Sequence, residues 1–226
     1  EGIKVVFDAG EVQYASVDLF HHSQLDLVAE RLNGFRDILR KHDIDILGVL
    51  DLLRRRSPKL LVIGDTIVDQ YVACDAVGMS AEAPIVVVRE LESQEFLGGA
   101  AIVAAHLQGL VKKCSYLSVI GADSSADWVR AKLDQQGIGA HLFIDSDRPT
   151  TFKIRYMVEN QKLFRVSRLK EHRISKDLEK LVIARLVELA PSIEGIVVND
   201  FVYGVITPRI LEKITELASH HQLLLF

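Results

Sequence analysis

From Lys59 onward, short apolar runs alternate with helical stretches, the pattern of an α/β domain built on a largely parallel sheet. Lys59-Leu60-Leu61-Val62-Ile63-Gly64 is almost continuously apolar, as a strand buried on both faces must be. Ser115 to Ile120 and Gly195 to Val198 follow the same rule, and Gln222 to Phe226 begins another such run. Between them, Ala101 to Leu110 is small and apolar, suited to tight packing on a sheet. Leu178, Leu181, Val182, Leu186 and Leu189 form a helical stripe with Ser175 placed as its N-cap. Thr207-Pro208 opens a further helix, with Thr as cap and Pro at the first helical position.

Two regions break this rhythm. Val72 to Val88 holds two extended segments around Met79-Ser80-Ala81-Glu82-Ala83-Pro84. Thr151 to Arg168 reads as a hairpin, Phe152 to Val158 and Lys162 to Ser167, turning at Glu159-Asn160-Gln161. Both alternate apolar and polar residues, so each presents one wet face. Inside an α/β protein, such strands predict a small sheet standing off the main body as a lid. Residues 1–57 differ again. Ile3 to Phe7 reads as a last strand, and Leu25 to Leu39 and Ile44 to Leu53 as two helices. The expected organisation is a domain tail over 1–24, a helical linker over 25–57 and the α/β unit over 58–226.

Composition removes several classes of function. With 49% hydrophobic and 26% charged residues the chain is an ordinary globular protein, and its net charge of −4 offers no field for nucleic acid or an anionic membrane. No apolar run reaches the length of a bilayer span. Cys74 and Cys114 are far apart and lack metal-ligand neighbours, so they read as reduced thiols, which suits a cytoplasmic protein. The eight histidines show no ligand spacing either, and no metal is assigned to them. The chain begins with Glu1 and stops inside Leu223-Leu224-Leu225-Phe226, and both ends read as cut.

Candidate chemistry sits at strand ends, where ligands bind in open α/β sheets. Gly64-Asp65-Thr66-Ile67-Val68-Asp69 follows the first buried strand, and its two carboxylates can accept hydrogen bonds from hydroxyls and so orient a polyol; a strand-end turn with an Asp capping backbone amides is equally open. Phe96-Leu97-Gly98-Gly99-Ala100-Ala101 enters a helix, where glycines permit close approach and the helix start offers N–H groups. It is neither a dinucleotide fingerprint nor a P-loop, which excludes those nucleotide sites. Lys153, Arg155, Lys162, Arg165 and Arg168 make the hairpin basic; a solvated strand edge and a phosphate contact both remain open for it. Asp200, in Asn199-Asp200-Phe201, closes another buried strand and is expected in the same crevice.

Taken in order, Gly64-Asp65 with Asp69 and Tyr71, Ser80-x-Glu82-Ala83-Pro84, Gly98-Gly99-Ala100-Ala101 and Gly121-x-Asp123 resemble the ribokinase-like (PfkB) carbohydrate kinases. Thr150-Thr151-x-Lys153-x-Arg155, Asn160-Gln161-x-Leu163-x-Arg165 and Asp200-Phe201-x-x-Gly204 are most similar to the heptose-7-phosphate kinase domains of bifunctional ADP-heptose synthesis proteins. Phe7 to Leu19 looks like the end of a cytidylyltransferase-like nucleotidyltransferase domain. The resemblance implies a ribokinase-like sheet flanked by helices with a β lid, and transfer of a phosphoryl group from ATP with Mg2+ to a sugar or sugar phosphate. It places Asp65, Asp69, Gly98, Gly99, Ala100 and Asp200 around the sugar, Glu82 in the lid, and Lys153, Asn160 and Arg165 near the substrate or its phosphate. Exposed lid strands make a homodimer through the lid an expectation, which a strict monomer in sedimentation would remove. Three departures stand out. The family's Gly-Ala-Gly-Asp segment, source of the catalytic base, is absent from this chain, so the fragment by itself is expected to be inactive. Ile102 stands where many relatives carry Asn, and Tyr203 where the heptose kinases usually have Lys. The alternative reading they motivate is a non-catalytic sugar-binding or regulatory module on the kinase fold.

Overall fold

A computed structural model describes residues 24–226 except 112 and 160. Its main sheet is formed by β1 (Lys59–Gly64), β4 (Lys113–Ile120), β5 (Gly139–Ile144), β8 (Gly195–Asn199) and β9 (Leu224–Leu225), in the order β5-β4-β1-β8-β9. Every neighbouring pair is parallel. The central strand explains why the run at 59–64 is apolar throughout. Val62 points into one core with α3 (Ala100–Leu110) and α4 (Ser124–Gln135). Leu61 and Ile63 point into the other, with α5 (Lys176–Leu189) and α6 (Pro208–His221). Ser175 caps α5 by accepting from the Leu178 N–H at 3.2 Å, and Thr207 caps α6 by accepting from Ile210 N–H at 3.2 Å.

The predicted lid is a separate sheet in the order β3-β2-β6-β7. It comprises β2 (Thr66–Met79), β3 (Val86–Gly99), β6 (Thr151–Val158) and β7 (Gln161–Arg168). Val68, Val72, Phe152 and Ile154 anchor its root against Ala100, Ala101 and Ala104 of α3. The small helix side chains let the two layers approach closely. Farther out the strands lie open, and Val77, Met79, Val86 and Leu91 are exposed.

The lid strands run longer than their sequence pattern suggests. β2 starts at Thr66, directly beyond β1, and β3 continues through Gly98 and Gly99, so Thr66 pairs with Gly99 and Ile67 with Gly98. Asp69 and the glycine pair therefore lie on strands rather than in turns. A buried hydroxyl chain fixes this sharp exit. Ser118 Oγ donates to the Gly64 carbonyl at 2.6 Å, Thr66 Oγ1 donates to Ser118 Oγ at 2.8 Å, and Tyr116 Oη meets Thr66 Oγ1 at 2.7 Å. Each hydroxyl is out of reach of water, so the chain specifies one geometry for the hinge of the lid.

Ahead of the sheet stand the two expected helices, α1 (Gln24–Lys41) and α2 (Ile46–Arg56). Asp45 caps α2 through the Gly48 N–H at 3.0 Å, and the helix stops before Pro58. The strand and domain tail expected over 1–23 lie outside the described residues. Among the described residues no helix is long and apolar enough to cross a membrane.

Candidate substrate site

The site is built where β1, β8 and the lid root meet. A Cβ on Gly64 would lie 1.9 Å from the Asn199 carbonyl oxygen, so only glycine lets β1 and β8 close together here. The next residue, Asp65, is 1% exposed. Its Oδ2 accepts from the backbone N–H of Phe201 (2.9 Å) and Tyr203 (3.2 Å), and its Oδ1 from Val205 N–H (3.1 Å). The carboxylate thus faces the loop after β8. Burial pushes its pKa up, the three N–H donors pull it down, and the charge of Asp200 adds a smaller upward push.

One face of the lid carries the charged groups. In the strand register Asp69 stands beside both Lys153 and Phe96, Tyr71 beside Arg155, and Arg155 opposite Arg165. Strand partners share a face, so these side chains converge. Arg155 binds Asp69 Oδ1 through its NH1 group and stacks over the Tyr71 ring at 5.1 Å. The second carboxylate oxygen, Asp69 Oδ2, has no protein hydrogen-bond partner among the described residues. It lies over Gly98, where an added Cβ would come within 2.3 Å of it. Gly98 leaves the space this carboxylate occupies.

Lys153 is the second decisive group. It is 8% exposed, yet its ammonium has neither a hydrogen-bond nor a salt-bridge partner among the described residues. What it does meet are rings: Tyr203 at 4.9 Å and Phe201 at 5.9 Å from Nζ to ring centre. The stem is buried while the ammonium keeps contact with solvent, so its charge is open to an anionic ligand and the rings supply cation–π contacts.

The remaining expected residues take different places. Gly99 adopts φ +59 at the start of α3, with no side chain capping that helix end, and the Ala100 N–H donates to the Asp65 carbonyl at 2.9 Å. Arg165 is exposed on β7, opposite Arg155. Glu82 sits at the exposed tip between β2 and β3, past the end of β2 at Met79, itself about 33 Å of strand path beyond Asp69 at ~3.3 Å per residue, and is not brought to the cluster. Asp200 turns its Oδ1 to the Val202 N–H at 2.7 Å and lines a cavity of about 390 Å³ with Glu171, Arg173 and Thr207. Asn160 lies outside the described residues.

Sequence reading gave no site role to Phe201, Tyr203 and Asn199 and overlooked Arg148. Phe201 and Tyr203 form the aromatic side of the Lys153 environment. Arg148 is 8% exposed and donates to Asp145, to the Tyr203 carbonyl at 2.9 Å and to the His172 carbonyl. Asn199 Oδ1 is buried beside the crevice with no hydrogen-bond partner. Among the described residues no group of three or more His, Cys, Asp or Glu side chains is arranged to hold a metal ion.

Residues 57–226 match the pfkB family carbohydrate kinases. The chain belongs to that family. Among curated relatives, the bifunctional protein HldE of Campylobacter jejuni serotype O:2 is 36% identical over 172 residues, covering 76% of this chain and 36% of its own length. The HldE protein of Helicobacter pylori strain J99 is 34% identical over 169 residues, 74% of this chain and 36% of its own length. The chain thus spans little more than a third of the curated relatives it matches. Solved structures share the ribokinase-like fold. A carbohydrate kinase from Agrobacterium tumefaciens superposes with a TM-score of 0.53 at 18% identity, over 74% of this chain and 52% of that one. The phosphofructokinase-2 from Escherichia coli in complex with fructose-6-phosphate gives 0.53 at 15% identity, over 73% and 52%.

Proposed function

We propose that residues 59–226 form the acceptor side of an ATP-dependent sugar-phosphate kinase, with heptose 7-phosphate as the substrate, in a protein that also carries a nucleotidyltransferase domain. The observation that carries this reading is the pairing of Asp69 with Lys153 across β2 and β6. An open carboxylate oxygen suits sugar hydroxyls, and an ammonium without an anion suits a phosphate already on the sugar. Relatives named bifunctional support the second activity.

In this reading Asp69 Oδ2 accepts from a sugar hydroxyl while Arg155 fixes its orientation. Gly98 makes room for the Asp69 carboxylate and Gly99 for the Asp65 carbonyl, which sets the acceptor carboxylate beside the start of α3, where Ala100 begins the helix. Lys153 and Arg165 take the phosphate, and the lid excludes water from the crevice. Among the described residues no three or more His, Cys, Asp or Glu side chains gather as an all-protein metal site, and no step here runs through magnesium. ATP and Mg2+ are assigned to parts of the protein outside these residues, as is the base of the Gly-Ala-Gly-Asp segment. Phosphoryl transfer depends mainly on positioning and charge stabilisation, and this half supplies the positioning of the acceptor.

The test is ATP turnover by the full-length protein with heptose 7-phosphate and with the unphosphorylated heptose. Turnover of the phosphorylated sugar is expected, with kcat/KM at least about ten-fold lower for the free sugar, as loss of one charged contact implies. Sugar binding without turnover would favour the non-catalytic module. Equal rates on both sugars would remove Lys153 from phosphate recognition.

A further inference from the structure

We propose that Asp65 and Arg148 are positioning residues that together clamp the 200–205 loop and preset the aromatic wall beside Lys153. The inference rests on the sugar-phosphate reading for its functional consequence, though the clamp is a property of the fold. The loop itself is open to solvent: Phe201 is 43% and Val202 78% exposed. Its backbone is nevertheless fastened at alternate positions. Asp65 accepts from the N–H groups of 201, 203 and 205. Arg148 donates to the Tyr203 carbonyl at 2.9 Å, and the Ile174 N–H donates to the Gly204 carbonyl at 3.1 Å.

Alternation has a geometric consequence. Holding 201 and 203 to one carboxylate forces the residue between them to bulge outward, and Val202 adopts φ +64. A β-branched residue avoids that region, so Val202 is there because its neighbours over-determine the backbone. Nothing packs the valine side chain to compensate, since it is among the most exposed apolar groups of the chain. What the arrangement does achieve is the direction of residues 201 and 203, whose rings face the Lys153 ammonium. Arg148 is itself held by Asp145, with a 2.9 Å contact and both side chains buried. The two clamping charges are therefore rigid before any ligand arrives, which is how a supporting shell fixes a binding group.

The clamp is read by hydrogen exchange on the full-length protein, using mass spectrometry that resolves single residues. In the wild type, amides 201, 203 and 205 are expected to exchange about 100-fold more slowly than amide 202, whose only acceptor is the exposed Asp200. Asp65→Asn is expected to speed the three by about ten-fold or more, while β4 keeps its protection. In the same variant KM for the sugar phosphate rises about ten-fold with kcat changed by less than about three-fold, as expected for lost ground-state positioning. Arg148→Lys, which keeps the charge but cannot reach all three acceptors, gives the same pattern more weakly and serves if Asp65→Asn fails to fold. Exchange at 201 and 203 as fast as at 202 overturns the clamp, and unchanged KM in a variant with a released loop overturns its link to the wall. A wild type that phosphorylates no sugar phosphate overturns the functional reading instead, and the exchange pattern then decides the clamp alone.

Discussion

Asp69→Asn in the full-length protein is expected to lower kcat/KM for the sugar phosphate by about 10²- to 10³-fold, because one carboxylate serves two purposes. Its Oδ1 is bound by Arg155, and its Oδ2 is open over Gly98. An amide cannot accept at both positions. If it keeps its oxygen toward Arg155, its NH2 meets the sugar hydroxyl; if it turns, the guanidinium loses its partner. A charged hydrogen bond to a hydroxyl contributes roughly 1.5–3 kcal/mol, or about 10- to 150-fold. Misplacing the acceptor hydroxyl adds to that loss in the transfer step. Steady-state kinetics with varied sugar, beside a thermal melt to exclude misfolding, provides the check. A kcat/KM within three-fold of wild type would remove Asp69 from the site.

Lys153→Met is the second large effect, and its two readouts separate: ligand affinity falls while stability holds. Affinity for the sugar phosphate is expected to fall by about 10²-fold or more, as for truncating one partner of a buried charge pair. The free sugar loses little. Stability of the unliganded protein is expected to change little, with Tm within about 2–4 °C of wild type, the shift that roughly 1 kcal/mol gives at this size. The reason is the environment: the Lys153 stem is buried beside the rings of Tyr203 and Phe201, and methionine keeps the volume and the ring contact. Calorimetric titration and a melt of the same sample measure both. A melt lowered by several degrees with unchanged affinity would make Lys153 a structural residue.

Much of the architecture was legible because burial on two faces leaves a plain trace. Leu60 to Ile63 could only be a central strand, and Ser175 and Thr207 mark helix starts that the structure confirms. The hairpin at 151–168 and the extended pair around 79–84 likewise follow from alternation. The lid's true extent was hidden, since Gly64-Asp65 resembles a terminating turn and gives no sign that Thr66 starts a new strand. The parallel register that sets Asp69 beside Lys153 joins segments with two helices between them, and no local pattern reports it.

The partners of Asp65 were unreadable for a similar reason. They are backbone amides 136 to 140 positions away, which carry no residue-type signal. Arg148, between Asp147 and Pro149, reads as an ordinary loop charge until its burial is seen. Residue types thus pointed to strand ends that the structure brings together, while the division between groups left without protein partners and groups that hold the frame came from geometry.

The most direct test is a crystal structure of the full-length protein with heptose 7-phosphate bound. The sugar ring is expected against the open side of Asp69 Oδ2, with its phosphate within hydrogen-bonding reach of Lys153 Nζ. A sugar bound with its phosphate away from Lys153, or with Asp69 still untouched by any hydroxyl, would contradict the assignment.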